Sequence, residues 1–228
     1  MLDGRFRPDF ERRLRPVGAN LGKTGLTADH LTALGLVMSV AAAVAIGNGA
    51  LRAGVLLLVL TAVPDALDGA VAKASGTASP RGAFFDSVAD RVTDAVLLGG
   101  VAWYLASTEG GHLPLLPMAL LGASMLISYE RAKAESLGFS ARGGLMERAE
   151  RIVALGLGLL FDSLLVPVLW VMLVLTMFTA VQRFVSVWRQ ANNVPPPVPL
   201  ADRWRGRRIA RPTAQAWRTR TRSRSRRS

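Results

Sequence analysis

The sequence predicts an all-α integral membrane protein. It has six transmembrane helices, an N-terminal amphipathic helix on the bilayer surface and a disordered basic C-terminal tail. Three observations lead there. Half of the 228 residues are apolar and 19% are charged, whereas an ordinary soluble domain carries about 25% charge. Three stretches run without a charge: Leu31 to Leu51 (21 residues), Gly110 to Tyr129 (20) and Ser163 to Gln182 (20). A bilayer core needs about 20 predominantly apolar residues per helix. Finally, no strand-like alternation and no internal repeat competes with a helical reading.

Taken in order, residues 1–26 contain Arg5, Arg7, Arg12, Arg13, Arg15 and Lys23 but no long apolar core, so a signal peptide is not expected. Phe10, Leu14 and Val17 fall at i, i+4, i+7, the spacing of a short interfacial helix; a flexible basic leader fits the same residues. The six helices are predicted at 30–49, 52–73, 83–107, 113–136, 145–162 and 164–190, within a domain spanning 27–190. The second, third and fifth contain only short apolar runs (Ala53 to Pro64, Ala95 to Thr108, Ile152 to Phe161) and span only if their charged flanks enter the membrane region. Lys and Arg gather before the first helix, between the second and third, and between the fourth and fifth, so both termini are expected in the cytoplasm.

Residues 191–228 contain Pro195-Pro196-Pro197 and end in an Arg/Ser/Thr-rich run. Eleven Arg and one Asp in 201–228 account for +10 of the net charge of +12. The basicity therefore belongs to a tail, which reads as solvated, topogenic and drawn to anionic membrane lipid rather than to nucleic acid. The absence of Cys excludes disulfides, thiolate metal sites and a Cys nucleophile. The two His, His30 and His112, are too far apart in sequence to suggest a multi-His metal centre.

Ionisable residues inside spanning segments are costly and point to function. Asp65 and Asp68 lie i, i+3 at the end of the second predicted helix; Asp86 and Asp90 lie i, i+4 at the start of the third. Each pair shares a helix face, and the short connection lets the faces meet. Four converging carboxylates require cations between them. All-oxygen ligation suits two Mg²⁺ ions, with Mn²⁺ a possible substitute. Spacing alone leaves two other readings equally open: a proton or ion pathway, and structural pairing with Arg91 and Lys73.

The residues around the acids narrow this. Asp65-x2-Asp68-Gly69-x2-Ala72-Lys73-x8-Gly82-x3-Asp86-x3-Asp90 closely resembles the signature of the CDP-alcohol phosphotransferase family, D-x2-D-G-x2-A-R-x8-12-G-x3-D-x3-D. Lys73 replaces the family's Arg, keeping the charge without the bidentate fork. The resemblance implies a six-helix membrane enzyme, usually a homodimer, with a polar cavity at the cytoplasmic interface. A CDP-linked lipid, CDP-diacylglycerol, donates; an alcohol attacks the lipid-side phosphorus; CMP leaves. It implies metal contacts at Asp65, Asp68, Asp86 and Asp90, with Asp90 also the catalytic base. Donor contacts are expected at Asp29, His30, Leu31 and Thr32, where Thr27-Ala28-Asp29-His30-Leu31-Thr32 looks like the family's first-helix start, and at Gly69, Lys73 and Ser79. Thr27 also reads as a plain helix N-cap.

The acceptor is read from three further segments: Ile127 to Glu135, Gly143 to Arg151, and Val181-Gln182-Arg183. They resemble phosphatidylinositol phosphate synthases of actinobacterial type, with patterns near I-S-Y-x-K-A-R, E-R-P-E-R and V-Q-R. Arg131 and Lys133 exchange places with the group's Lys and Arg, and Ala149 replaces its Pro. Carried over, Ser128, Arg131, Lys133, Arg151 and Arg183 would hold the phosphate of inositol 1-phosphate. Phosphatidylglycerophosphate synthases are the alternative, since Ser87-Val88-Ala89-Asp90-Arg91 is close to their pattern too. A non-enzymatic ion pathway is a remote one, because the acids cluster at one end rather than through membrane depth.

Overall fold

The computed structural model describes residues 27–62, 79–141 and 143–193. They form six helices and no strand: α1 Ala28–Gly47, α2 Leu51–Ala62, α3 Pro80–Thr108, α4 Leu115–Ser136, α5 Arg148–Leu160 and α6 Asp162–Asn192. Chain contacts divide the protein into residues 1–189 and 190–228, and the packing described below belongs to the first unit. The predicted surface helix within 1–26, the predicted residues 63–73 of the second helix and the basic tail after Asn193 lie outside the described residues.

Local chemistry sets the helix ends. Thr27 caps α1: its Oγ1 accepts from the His30 amide at 3.3 Å, while His30 Nδ1 accepts from the Thr27 amide at 3.4 Å. This reciprocal pairing satisfies two otherwise orphaned donors, and Asp29 complements the positive end of the helix dipole. α3 starts earlier than the predicted 83. The Ser79 hydroxyl accepts from the Gly82 amide at 3.1 Å, and Pro80 occupies the first turn, where its missing N–H is no loss.

α5 is shorter than the predicted 145–162. Gly143 and Gly144 take positive φ of 91° and 148°, and the amides of Leu145 and Met146 are bound by Thr179 rather than by a helix. Phe161 is extended at the other end. The thirteen residues of α5 rise about 20 Å at ~1.5 Å each, less than the ~30 Å hydrocarbon core. α1 and α6 are each long and apolar enough to cross a membrane.

α1 packs on α3, and α3 on α4. The first contact is close because of glycine: a Cβ on Gly100 would stand 2.6 Å from the Ala43 carbonyl oxygen. Small residues that let backbones approach are the usual means of helix packing in lipid. Ala42, Ile46, Leu97, Val101, Leu120, Leu155 and Leu169 fill the core. The outward faces are also apolar, with Val37, Leu56, Val174 and Phe184 more than half exposed. Exposed large apolar side chains in this number suit lipid rather than water.

Candidate active site

The acidic face of α3 anchors the site. Asp86 and Asp90 are one turn apart and half-buried, and Asp94 continues the same face one turn further. The first turn of α5 meets that face with two guanidinium groups. Arg148 Nη1 lies 2.8 Å from Asp90 Oδ1, and its Nε 3.9 Å from Asp94 Oδ1. Arg151 Nη2 donates to Asp94 Oδ2 at 2.5 Å, and its Nη1 reaches the Met146 carbonyl at 3.5 Å. Arg91 also stands 3.7 Å from Asp90. A small cavity opens beside Asp90, walled by Thr32 of α1, Thr61 of α2, Ala89 and Thr93 of α3, and Arg148. Four helices therefore contribute to one polar recess around Asp90.

The predicted donor contacts separate. Asp29 pairs with Arg81 at 3.5 Å and lies beside Gly82, where an added Cβ would be 3.7 Å from its carboxylate. The starts of α1 and α3 are thus adjacent. Thr32 faces the recess, with its hydroxyl donating to the Ala28 carbonyl at 3.1 Å. His30 is exposed and occupied in the cap. Leu31 is 5% exposed and belongs to the core, so its side chain packs inward. Ser79 is exposed at the cap of α3. Asp65, Asp68, Gly69 and Lys73 lie outside the described residues.

The predicted acceptor cations fall into two kinds. Arg131 and Lys133 are exposed, and Arg131 pairs with Glu135 on its own helix at 3.1 Å. Ser128 is half-buried on the same helix. Arg151 and Arg183 are buried. In sequence Arg183 has no acid near it; the fold supplies one. Its Nη2 lies 3.2 Å from Glu147 Oε1, its Nε donates to the Gly143 carbonyl at 2.9 Å and its Nη1 to the Ile127 carbonyl at 3.0 Å. A buried cation needs such partners, because desolvating it unpaired is costly. Arg148, Asp94 and Glu147 were not singled out by sequence. The available signal was periodicity: Asp94 extends the Asp86–Asp90 face by one more turn, and Arg148 shares a face with Arg151.

The donor set fits a divalent cation in kind. Asp86 and Asp90 present carboxylates from successive turns of one helix, with no nitrogen or sulfur ligand among them. Among the described residues no three His, Cys, Asp or Glu side chains group closely enough to hold a metal, and the two remaining predicted ligands are outside that set.

Comparison with known proteins agrees with this chemistry. The family model for CDP-alcohol phosphatidyltransferase matches residues 25–188. Archaetidylinositol phosphate synthase of Methanothermobacter thermautotrophicus is 35% identical over 191 residues, covering 81% of this chain and 93% of its own. Phosphatidylinositol phosphate synthase of Mycobacteroides abscessus is 34% identical over 189 residues, covering 79% and 86%. The crystal structure of Mycobacterium tuberculosis phosphatidylinositol phosphate synthase with CDP-DAG bound superposes with a TM-score of 0.74 at 31% identity, covering 82% of this chain and 100% of that one. The same enzyme in complex with manganese and citrate gives 0.71 at 31% identity, covering 77% and 88%. With the family model reaching into every described helix and the acidic face of α3 in place, the chain belongs to the CDP-alcohol phosphatidyltransferase family and is a phosphotransferase of phospholipid biosynthesis.

Proposed function

We propose that this enzyme transfers the diacylglyceryl phosphate group of CDP-diacylglycerol to inositol 1-phosphate, giving phosphatidylinositol phosphate and CMP. The observation that carries the acceptor is the pair of buried guanidinium groups, Arg151 and Arg183, at the end of the protein where Asp90 lies. A guanidinium has five N–H donors. Three of Arg183's are engaged by Ile127, Gly143 and Glu147, and the other two are those an acceptor phosphate would take. Arg131 and Lys133, exposed at the end of α4, would draw the phosphate in, and Ser128 would offer a hydroxyl. Two relatives whose names differ in the lipid, archaetidyl and phosphatidyl, share inositol phosphate in those names, which supports the same choice.

In this reading Asp90 accepts the proton of the attacking hydroxyl. A bond forms between that oxygen and the lipid-side phosphorus, the bond from that phosphorus to the bridging oxygen breaks, and CMP departs with the electron pair. Asp29, His30, Leu31 and Thr32 at the start of α1, with Gly69, Lys73 and Ser79, hold the CDP moiety. Leu31 can contribute only through its backbone, given its packing. Asp65, Asp68, Asp86 and Asp90 would hold two Mg²⁺, whose charge offsets that developing on the diphosphate. The relative bound to manganese supports a divalent cation there.

The protein is further read as a homodimer in the cell membrane, with six spans and both termini cytoplasmic. α1 and α6 meet the length and composition of a span, and the apolar outward faces of the other helices support the rest. Incubating membranes that contain the protein with CDP-diacylglycerol and, separately, inositol 1-phosphate, glycerol 3-phosphate, free inositol or serine tests the proposal. CMP release is expected with inositol 1-phosphate. Release with glycerol 3-phosphate instead would make the protein a phosphatidylglycerophosphate synthase.

A further inference from the structure

Two arginines of the site, Arg148 and Arg151, stand in the first turn of α5, and the loop before that turn is held from below by α6. Thr179 is fully buried there. Its Oγ1 accepts from two successive amides, Leu145 and Met146, each at 3.3 Å, and donates to the Leu175 carbonyl at 2.8 Å. Gly144, with φ of 148°, has Thr179 Cγ2 where a side chain of its own would lie. One turn further along α6, Arg183 holds the Gly143 carbonyl and the Glu147 carboxylate. The loop is therefore tied at 143, 145, 146 and 147. Met146 in turn takes Arg151 Nη1 on its carbonyl, so the tie continues into the cation that binds Asp94.

We propose that Thr179 is a positioning residue for the acceptor half of the site: its hydroxyl fixes the 143–147 loop so that Arg148 and Arg151 meet Asp90 and Asp94. This deepens the acceptor reading above and rests on it. Thr179 touches neither substrate nor metal. Its hydroxyl receives both loop amides; that of Met146 is buried, and a buried amide left without an acceptor drives the backbone to rearrange. A small displacement of a substrate-positioning group has a large effect on rate or affinity.

The test compares Thr179→Val, which keeps the shape and removes the hydroxyl, with Thr179→Ser, which keeps it. Thr176→Val is the control: Thr176 is equally buried one turn earlier, and its hydroxyl has no hydrogen-bond partner. Each variant is assayed with whichever phosphorylated alcohol the wild type turns over. An acceptor other than inositol phosphate then overturns the acceptor reading and leaves this test intact. Thr179→Val should raise the acceptor KM by about tenfold and leave the KM for CDP-diacylglycerol within about twofold. Thr179→Ser and Thr176→Val should match the wild type. Hydrogen exchange on the intact wild-type protein is the second measurement, independent of whether a variant folds: the Leu145 and Met146 amides should be protected. Either of two results overturns the proposal: a Thr179→Val variant with both KM values unchanged or both raised alike, or wild-type amides at 145 and 146 that exchange like open loop.

Discussion

The acids of α3 and the buried arginines proposed to hold the acceptor are built differently. The acids at the start of α3, proposed as metal ligands, come from one short stretch of chain and share a face because they repeat at the helical period. Each buried cation of the proposed acceptor pocket is completed by residues far away in sequence. Arg151 meets Asp94 across 57 positions, and Arg183 meets Gly143, Ile127 and Glu147 across 40, 56 and 36. Substitutions among these acids should therefore remove chemistry and spare the fold. Those among the buried acceptor cations should disturb both. Exposed Arg131 and Lys133 form a third case, where affinity can change with no cost to stability.

The largest effect is expected at the acids proposed to hold metal. Asp86→Asn or Asp68→Asn should reduce CMP release to background while thermal unfolding in detergent stays near wild type, and EDTA should do the same reversibly on adding back Mg²⁺. Full activity in EDTA-stripped membranes would remove the metals from the mechanism. Next comes Asp90→Asn. Loss of a general base costs about 10²- to 10⁴-fold, so turnover should fall that far while CDP-diacylglycerol still binds. A variant retaining a large fraction of wild-type turnover would assign the proton to another group.

Arg183→Ala and Arg151→Ala follow. Loss of a charge-assisted contact should raise the acceptor KM by roughly 10- to 100-fold with the CDP-diacylglycerol KM nearly unchanged. Arg183→Ala also strands Glu147, a cost of about 3–5 kcal/mol in soluble proteins, so its melting temperature should fall as well; Arg151→Ala should cost less, because Asp94 keeps Arg148 at 3.9 Å. Weakened CDP-diacylglycerol binding with an intact acceptor KM would reverse the assignment of the two halves. The smallest effect is expected at Arg131→Ala. Its pair with Glu135 lies on one exposed helix face, and such pairs contribute about 0.2–1 kcal/mol. The melting temperature should not move, and the acceptor KM should rise by about fivefold or less. A drop in stability as large as that of Arg183→Ala would end the distinction between exposed and buried cations.

Thr27 and Arg183 show where reading from sequence succeeds and where it stops. Thr27 precedes an apolar run, and capping depends only on atoms three residues away, so its role was legible and the fold confirms it. His30 as the reciprocal half of that cap was not expected, because Glu or Gln usually fills the position. Arg183 looked like a cation lacking an acid, since nothing in its own segment pairs with it; Glu147 reaches it only after the chain has turned back through α5. The length of α5 was misjudged for the same reason. Leu145 to Glu147 can open a helix by composition, but the Leu145 and Met146 amides are claimed by Thr179, and the Glu147 carboxylate by Arg183, both of another helix.

What the sequence determined by itself is what depends on neighbours within a turn or two: apolar helices, the Thr27 cap, the acid faces, and the signature that marks the family. Periodicity and short-range hydrogen bonding are written locally, so they can be read locally. What only the tertiary structure decided is which charges meet. The pairing of Arg148 with Asp90, of Arg151 with Asp94 and of Arg183 with Glu147 arises because a buried charge must find an opposite charge wherever packing brings one within reach, and packing is set by the whole set of helices rather than by any one of them.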